Sequence, residues 1–99
     1  MISKKYIYVL SRLLDFLKFH EVNYAVVIEK YLIKFESANT ENQIKDIVEE
    51  AKQCIFSGMG SLNDIWISKE NSHNVDNEKM ANIQLEQLRQ ELRNMLFHK

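Results

Sequence analysis

The sequence predicts a mainly α-helical, four-helix bundle-like single domain over residues 1–99, with one short extended segment around 64–68. Three observations carry this. Apolar residues recur at helical spacing in four separate stretches, each stretch opens on a residue suited to cap a helix, and the chain has two glycines and no proline. Apolar side chains three and four apart form the stripe by which a helix packs on its neighbours. Scarce glycine and proline leave few of the tight turns that a strand-rich fold requires. A chain of 99 residues is enough for one domain and one modest core without metals or disulfides.

The first helix is expected from a Ser3 cap to about His20, with Ile7, Leu10, Leu14 and Leu17 as its stripe, Leu13 beside them and Phe16 and Phe19 widening it. Asn23 is the expected cap of the second, which reaches about Ser37 on a stripe of Tyr24, Val27, Ile28, Tyr31, Leu32 and Phe35. Ala25, Val26 and Ile33 put apolar surface on its other sides, so this helix is either central in the fold, the first expectation, or partly committed to a partner. Thr40 followed three residues later by Gln43 makes a capping box for a third helix. Its stripe is Ile44, Ile47, Val48, Ala51, Cys54 and Ile55, with Glu41, Lys45, Asp46, Glu49, Glu50 and Lys52 facing outward. It ends near Gly58, which tolerates the left-handed conformation that closes helices.

Ile65-Trp66-Ile67-Ser68 reads as the extended piece, in which alternation sets Ile65 and Ile67 on one face and Trp66 on the other. Trp66 is expected in the core, with presentation to a partner as the alternative. Residues 71–74 read as a mobile polar loop. Asp76 is the expected cap of the last helix, with Val75 packing on Met80 as a staple, and Ala81, Leu85, Leu88, Leu92 and Met95 form a seam of two heptads. That is too short for a free-standing coiled coil, so docking on the other helices is expected.

The net charge of −1 makes no case for nucleic acid, which is bound by clustered Lys and Arg. The charge is uneven along the chain. Residues 1–20 carry Lys4, Lys5, Arg12 and Lys18 against Asp15, a local +3, and residues 21–57 carry four lysines against seven acids, a local −3. No apolar run approaches the roughly 18 residues of a membrane span, no signal peptide is apparent, and the cytoplasm is the expected location. Cys54 is the one cysteine, so no disulfide forms within the chain, and its place on an apolar stripe predicts a buried thiol.

No constellation for catalysis, cofactor or metal stands out, and the sequence does not read as an enzyme. Gly58-Met59-Gly60 lacks the strand, third glycine or Gly-Lys-Ser/Thr of a phosphate loop, and so reads as a structural turn. His20, His73 and His98 have no ligand spacing to one another or to Cys54. In the turn itself, Ser61 with Asp64 can form a miniature capping box, and Asn63 can satisfy backbone groups.

The segment Gly58-Met59-Gly60-Ser61-Leu62-Asn63-Asp64, followed by Ile65 and Trp66, resembles the Gly-Met-Gly-Ser-(Phe/Leu)-Asn-Asp segment of a family of small bacterial proteins with no assigned activity. Tyr24-Ala25 resembles that family's aromatic-Ala pair, and Ser57 stands where a further glycine is common. The resemblance covers roughly residues 10 to 67, and only the seven-residue segment is specific. It implies a small bacterial cytoplasmic protein in which this segment matters, and no mechanism.

Three function classes follow. The first is a protein-binding module, in its best instance a bacterial immunity protein that neutralises a cognate toxin by direct binding. A basic toxin domain would meet Glu29, Glu36, Glu41, Asp46, Glu49 and Glu50, with Trp66 as an apolar anchor. Reversing Glu49 and Glu50 is expected to slow association and to leave folding almost unchanged. The second is a structural or regulatory helical adaptor, with a homodimer through the 81–95 seam as one form. The third, a small-ligand binder or enzyme at the 58–64 turn, calls for a pocket beside Asn63 and Asp64.

Overall fold

The computed structural model describes residues 3–58 and 60–97; Met59 and His98, named above, lie outside them. Four helices follow one another, α1 (Lys4–Phe19), α2 (Ala25–Ser37), α3 (Glu41–Phe56) and α4 (Glu78–Phe97). Two 3-10 turns, Leu62–Asp64 and Lys69–Asn71, lie between α3 and α4, and there is no strand among the described residues. The chain is the expected mainly α, bundle-like domain. Residues 65–68 run extended, from Ile65 at φ −81°, ψ 133° to Ser68 at φ −154°, ψ 141°.

Helix α1 packs on α2 and α4, and α3 packs on the same two. Short connections make α1 and α2 run antiparallel: Tyr6, near the start of α1, stacks on Phe35, near the end of α2, at 4.8 Å and 6° between ring planes. The fully buried centre is built from Leu10, Leu13 and Leu17 of α1, Ile28, Tyr31 and Phe35 of α2, Ile55 of α3 and Leu85, Leu92 and Leu96 of α4. Leu62 and Ile67 of the connecting segment complete it. The α4 seam is therefore covered by its own chain: Ala81, Leu85, Leu88 and Leu92 are all buried, and Met95 packs against the same core. A homodimer through that seam would have to uncover this core.

The four expected caps fare differently. Thr40 accepts from the Gln43 N–H at 3.1 Å, and the Gln43 side chain accepts from the Thr40 N–H at 3.2 Å, so the capping box is complete. Ser3 already has helical dihedrals (φ −91°, ψ −1°) and its buried hydroxyl finds no partner among the described residues, so it does not cap α1 by its side chain. Tyr24, not Asn23, stands at the cap position of α2, again with no side-chain bond, because a 3-10-like turn from Val22 to Tyr24 leads into the helix through backbone bonds. At α4 the cap is one residue later than Asp76. Asn77 Oδ1 accepts the Met80 N–H at 3.0 Å; Val75 goes into the core and Met80 stays half-exposed, the two lining one cleft.

The 71–74 loop is tied down rather than free. Asn74 N–H donates to the His20 carbonyl at 2.9 Å, Asn74 Nδ2 donates to Phe19 at 3.0 Å, and His20 Nδ1 donates to the Asn74 carbonyl at 2.7 Å. His73 Nδ1 accepts the Ser68 N–H at 3.1 Å. Nδ1 therefore bears a hydrogen in His20 and is bare in His73. Asn74 thus satisfies the carbonyls of Phe19 and His20, while backbone N–H groups of His20, Glu21 and Val22 take those of Phe16, Lys18 and Leu17.

Candidate protein-binding surface

The residues expected to meet a partner divide by what holds them. Glu50 does not face outward. It lies half-buried between α2 and α3, where its carboxylate accepts from Lys34 Nζ at 2.7 Å and from the Tyr31 hydroxyl at 3.2 Å, with Lys30 at 3.9 Å. Hydrogen bonding to Lys34 holds the Glu50 carboxyl below its ordinary value, against an opposing effect of burial and with help from Tyr31 and Lys30. Tyr31 responds in the other direction: burial first, then the Cys54 thiol and the Glu50 charge, push its phenol up. Reversing Glu50 would set a lysine against Lys34 and Lys30, so a cost to folding is expected at Glu50 that is not expected at exposed Glu49.

Glu49 is exposed and pairs with Lys52 at 3.1 Å, one turn along α3. Glu41 and Asp46 are exposed and make no ion pair among the described residues. Lys45 is exposed on the same outer face of α3, and it and Lys52 interrupt the acids there. Cys54 is exposed, not buried. It sits at the edge of the stripe, beside Tyr24, whose hydroxyl donates to the Cys54 carbonyl at 3.5 Å. Burial and then the Cys54 thiol raise the Tyr24 phenol, with the Leu62 backbone opposing.

Helix α2 presents a more coherent surface. Val26 is 75% exposed and Ile33 55%. They stand seven residues apart, two turns, on the side opposite Ile28, Tyr31 and Phe35. Glu29 and Glu36, also seven apart, are exposed on the same side. Glu29 pairs only with exposed Lys18, at 3.3 Å, and Glu36 makes no ion pair among the described residues. One side of α2 is therefore central in the core, as expected first, and the opposite side is exposed.

Trp66 is 61% exposed, which corrects the expectation of a core indole. Alternation is kept, with Ile67 fully buried and Ile65 packed against the core. The reason is a side chain on α4. Asn82 Oδ1 accepts the Ile67 N–H at 2.8 Å and Asn82 Nδ2 donates to the Ile67 carbonyl at 2.9 Å, fixing the extended backbone so that its neighbour points away. Asn71 Nδ2 donates to the Trp66 carbonyl at 3.4 Å. The indole stands over a cleft of about 290 Å³ that Asn23, Tyr24, Asp64 and His73 also line.

The 58–64 segment is a structural corner. Gly58 has φ +80° and Gly60 φ +76°, so both need the left-handed conformation. The Gly60 N–H donates to the Asp64 carboxylate at 2.8 Å. The Asp64 N–H donates to the buried Ser61 carbonyl at 3.0 Å. The Ser61 hydroxyl does not cap the turn, so the miniature box is half made: Asp64 reaches back, one residue further than expected. Asn63 Nδ2 donates to the Phe56 carbonyl at 3.3 Å, satisfying the end of α3. Arg89 and Arg93 of α4 were not singled out by the sequence, yet they secure this corner. Arg89 donates to the Leu62 carbonyl at 3.0 Å, and Arg93 donates to Asn63 Oδ1. Only their i+4 spacing on α4 hinted at a shared task.

Among the described residues no helix is long and apolar enough to cross a membrane, and no group of three or more His, Cys, Asp or Glu is placed to hold a metal ion. Compared with models of protein families, with curated proteins and with solved structures, the chain matches none.

Proposed function

We propose that this chain is a cytoplasmic protein-binding module, in its best instance a bacterial immunity protein that neutralises a basic toxin domain by direct binding through the outer face of α2. The observation that carries this is the strip of Val26, Glu29, Ile33 and Glu36, two bare aliphatic side chains edged by two carboxylates. Covering a Val or Ile side chain fully contributes about 1.5–3 kcal/mol each. Exposed ion pairs add at most about 1 kcal/mol. The aliphatic pair therefore supplies affinity, and the acids supply association rate and register by attracting Lys and Arg. Glu41, Asp46 and Glu49 extend the negative field, and the rigidly held Trp66 is a second apolar anchor of the type that dominates protein interfaces.

A toxin-like gene immediately upstream would favour this reading, and its product is then the partner to try. Mixed with this chain, it should form a complex of defined stoichiometry by light scattering and lose its toxicity when co-expressed. Free toxin beside free chain at micromolar concentration would contradict the proposal. The adaptor reading differs in the same experiment: the chain would leave the toxin free, and in its homodimer form it would scatter as an oligomer on its own.

A further inference from the structure

A trough of about 750 Å³ lies between the end of α3, the 58–64 corner and the end of α4, lined by Phe56, Asn63, Arg93, Asn94 and Phe97. No residue of α2 takes part, so it is separate from the surface assigned to a protein partner. Phe56 and Phe97 meet edge to face, with ring centres 6.0 Å apart. Each ring carries a cation over its face: the Arg93 guanidinium is 4.9 Å from the centre of Phe56, and Lys52 Nζ is 5.3 Å from that of Phe97. The nearby carboxylate of Glu49 pairs with Lys52 from outside the lining.

The free hydrogen-bonding groups are weighted toward donors. Asn63 Oδ1 is taken by Arg93, and its Nδ2 uses one hydrogen on the Phe56 carbonyl, leaving the other. Asn94 Oδ1 is taken by Gln90 at 3.0 Å, leaving both hydrogens of its Nδ2. Arg93 and Lys52 are donors only. Each amide oxygen keeps a second lone pair, but among the described lining residues the one charged group is the Arg93 guanidinium, so charge beside two aromatic rings favours an anionic head group on a flat apolar body. We infer that this trough binds small aromatic carboxylates, the carboxylate meeting Arg93, Asn63 and Asn94 while the ring packs against Phe56 and Phe97. Asn63 belongs to the segment that the sequence marks as most distinctive, so the corner both closes α3 and shapes a ligand site.

The test is amide chemical-shift titration of the full chain with 3-phenylpropionate, its neutral amide 3-phenylpropionamide, and acetate. Phenylpropionate should give saturable shifts at Phe56, Asn63, Arg93 and Phe97, the neutral amide should bind at least fivefold more weakly, and acetate should not saturate. Arg93→Gln should weaken phenylpropionate at least fivefold with the circular dichroism unchanged; if that variant unfolds, Lys52→Gln should weaken it at least twofold. Absence of saturable shifts at these residues, equal affinity for acid and amide, or wild-type affinity in the folded variant would overturn the inference. None of these outcomes depends on the α2 surface or on a protein partner.

Discussion

The side-chain amide of Asn82 pairs with the backbone of Ile67 as a neighbouring strand would, one oxygen on the N–H at 2.8 Å and one nitrogen on the carbonyl at 2.9 Å. Its second amide hydrogen goes to the Glu78 carbonyl at 2.8 Å within α4. One buried residue thus satisfies both backbone groups of Ile67, at the centre of the extended segment. Asn82→Leu leaves two buried backbone groups unpaired, each worth about 1–3 kcal/mol, so denaturant titration should show a loss of about 3 kcal/mol. Asn82→Asp keeps the acceptor and loses the donor, and should also destabilise at neutral pH.

Trp66 is held by that pairing but contributes little to the core. As the one tryptophan, it reports alone. Its fluorescence should be red-shifted and readily quenched by acrylamide, and Trp66→Ala should change stability by no more than about 0.5 kcal/mol. A blue-shifted, protected indole in the free protein would contradict the exposure described.

The positions of Asn82 and Trp66 mark the limit of what the sequence discloses. The Thr40–Gln43 capping box was legible because both partners lie within three residues, and helical stripes were legible because their period is local. Asn82 acts across 15 residues of chain, and nothing in the alternation around Trp66 says which face the core takes. Asn77 displaced Asp76 as cap because adjacent Asx residues compete and packing of Val75 decides between them. Cys54 and Glu50 lie at the margins of the α3 stripe, where helical phase alone does not separate exposure from a contact with α2.

Both corner glycines have positive φ and open space where a Cβ would stand, so alanine there meets backbone strain and no clash. Gly58→Ala and Gly60→Ala should each cost about 1 kcal/mol in thermal or denaturant unfolding, and asparagine, which tolerates this conformation better, should cost less. Two alanine variants that melt like wild type would show that the corner does not depend on glycine.

Glu50 makes stability depend on acid in a definite direction. Its folded pKa lies below its unfolded one, chiefly through Lys34, so its contribution is present above the unfolded value near 4.5 and is lost as pH falls through the folded value. Glu50→Gln should therefore be less stable than wild type at pH 7, and the difference should fade as both are taken toward pH 3. A difference that stays constant across that window would mean that the charge is not what Glu50 contributes.

The outer face of α2 remains the surface on which the functional proposal stands. Stopped-flow association with a basic toxin domain that the chain neutralises, for wild type and for Glu29→Lys/Glu36→Lys, compares the two at low and at physiological salt. The double reversal should slow association at least tenfold at low salt, and the deficit should shrink as salt screens the charges. Association at the wild-type rate in low salt, with the variant folded, would contradict the assignment of this face to a basic partner.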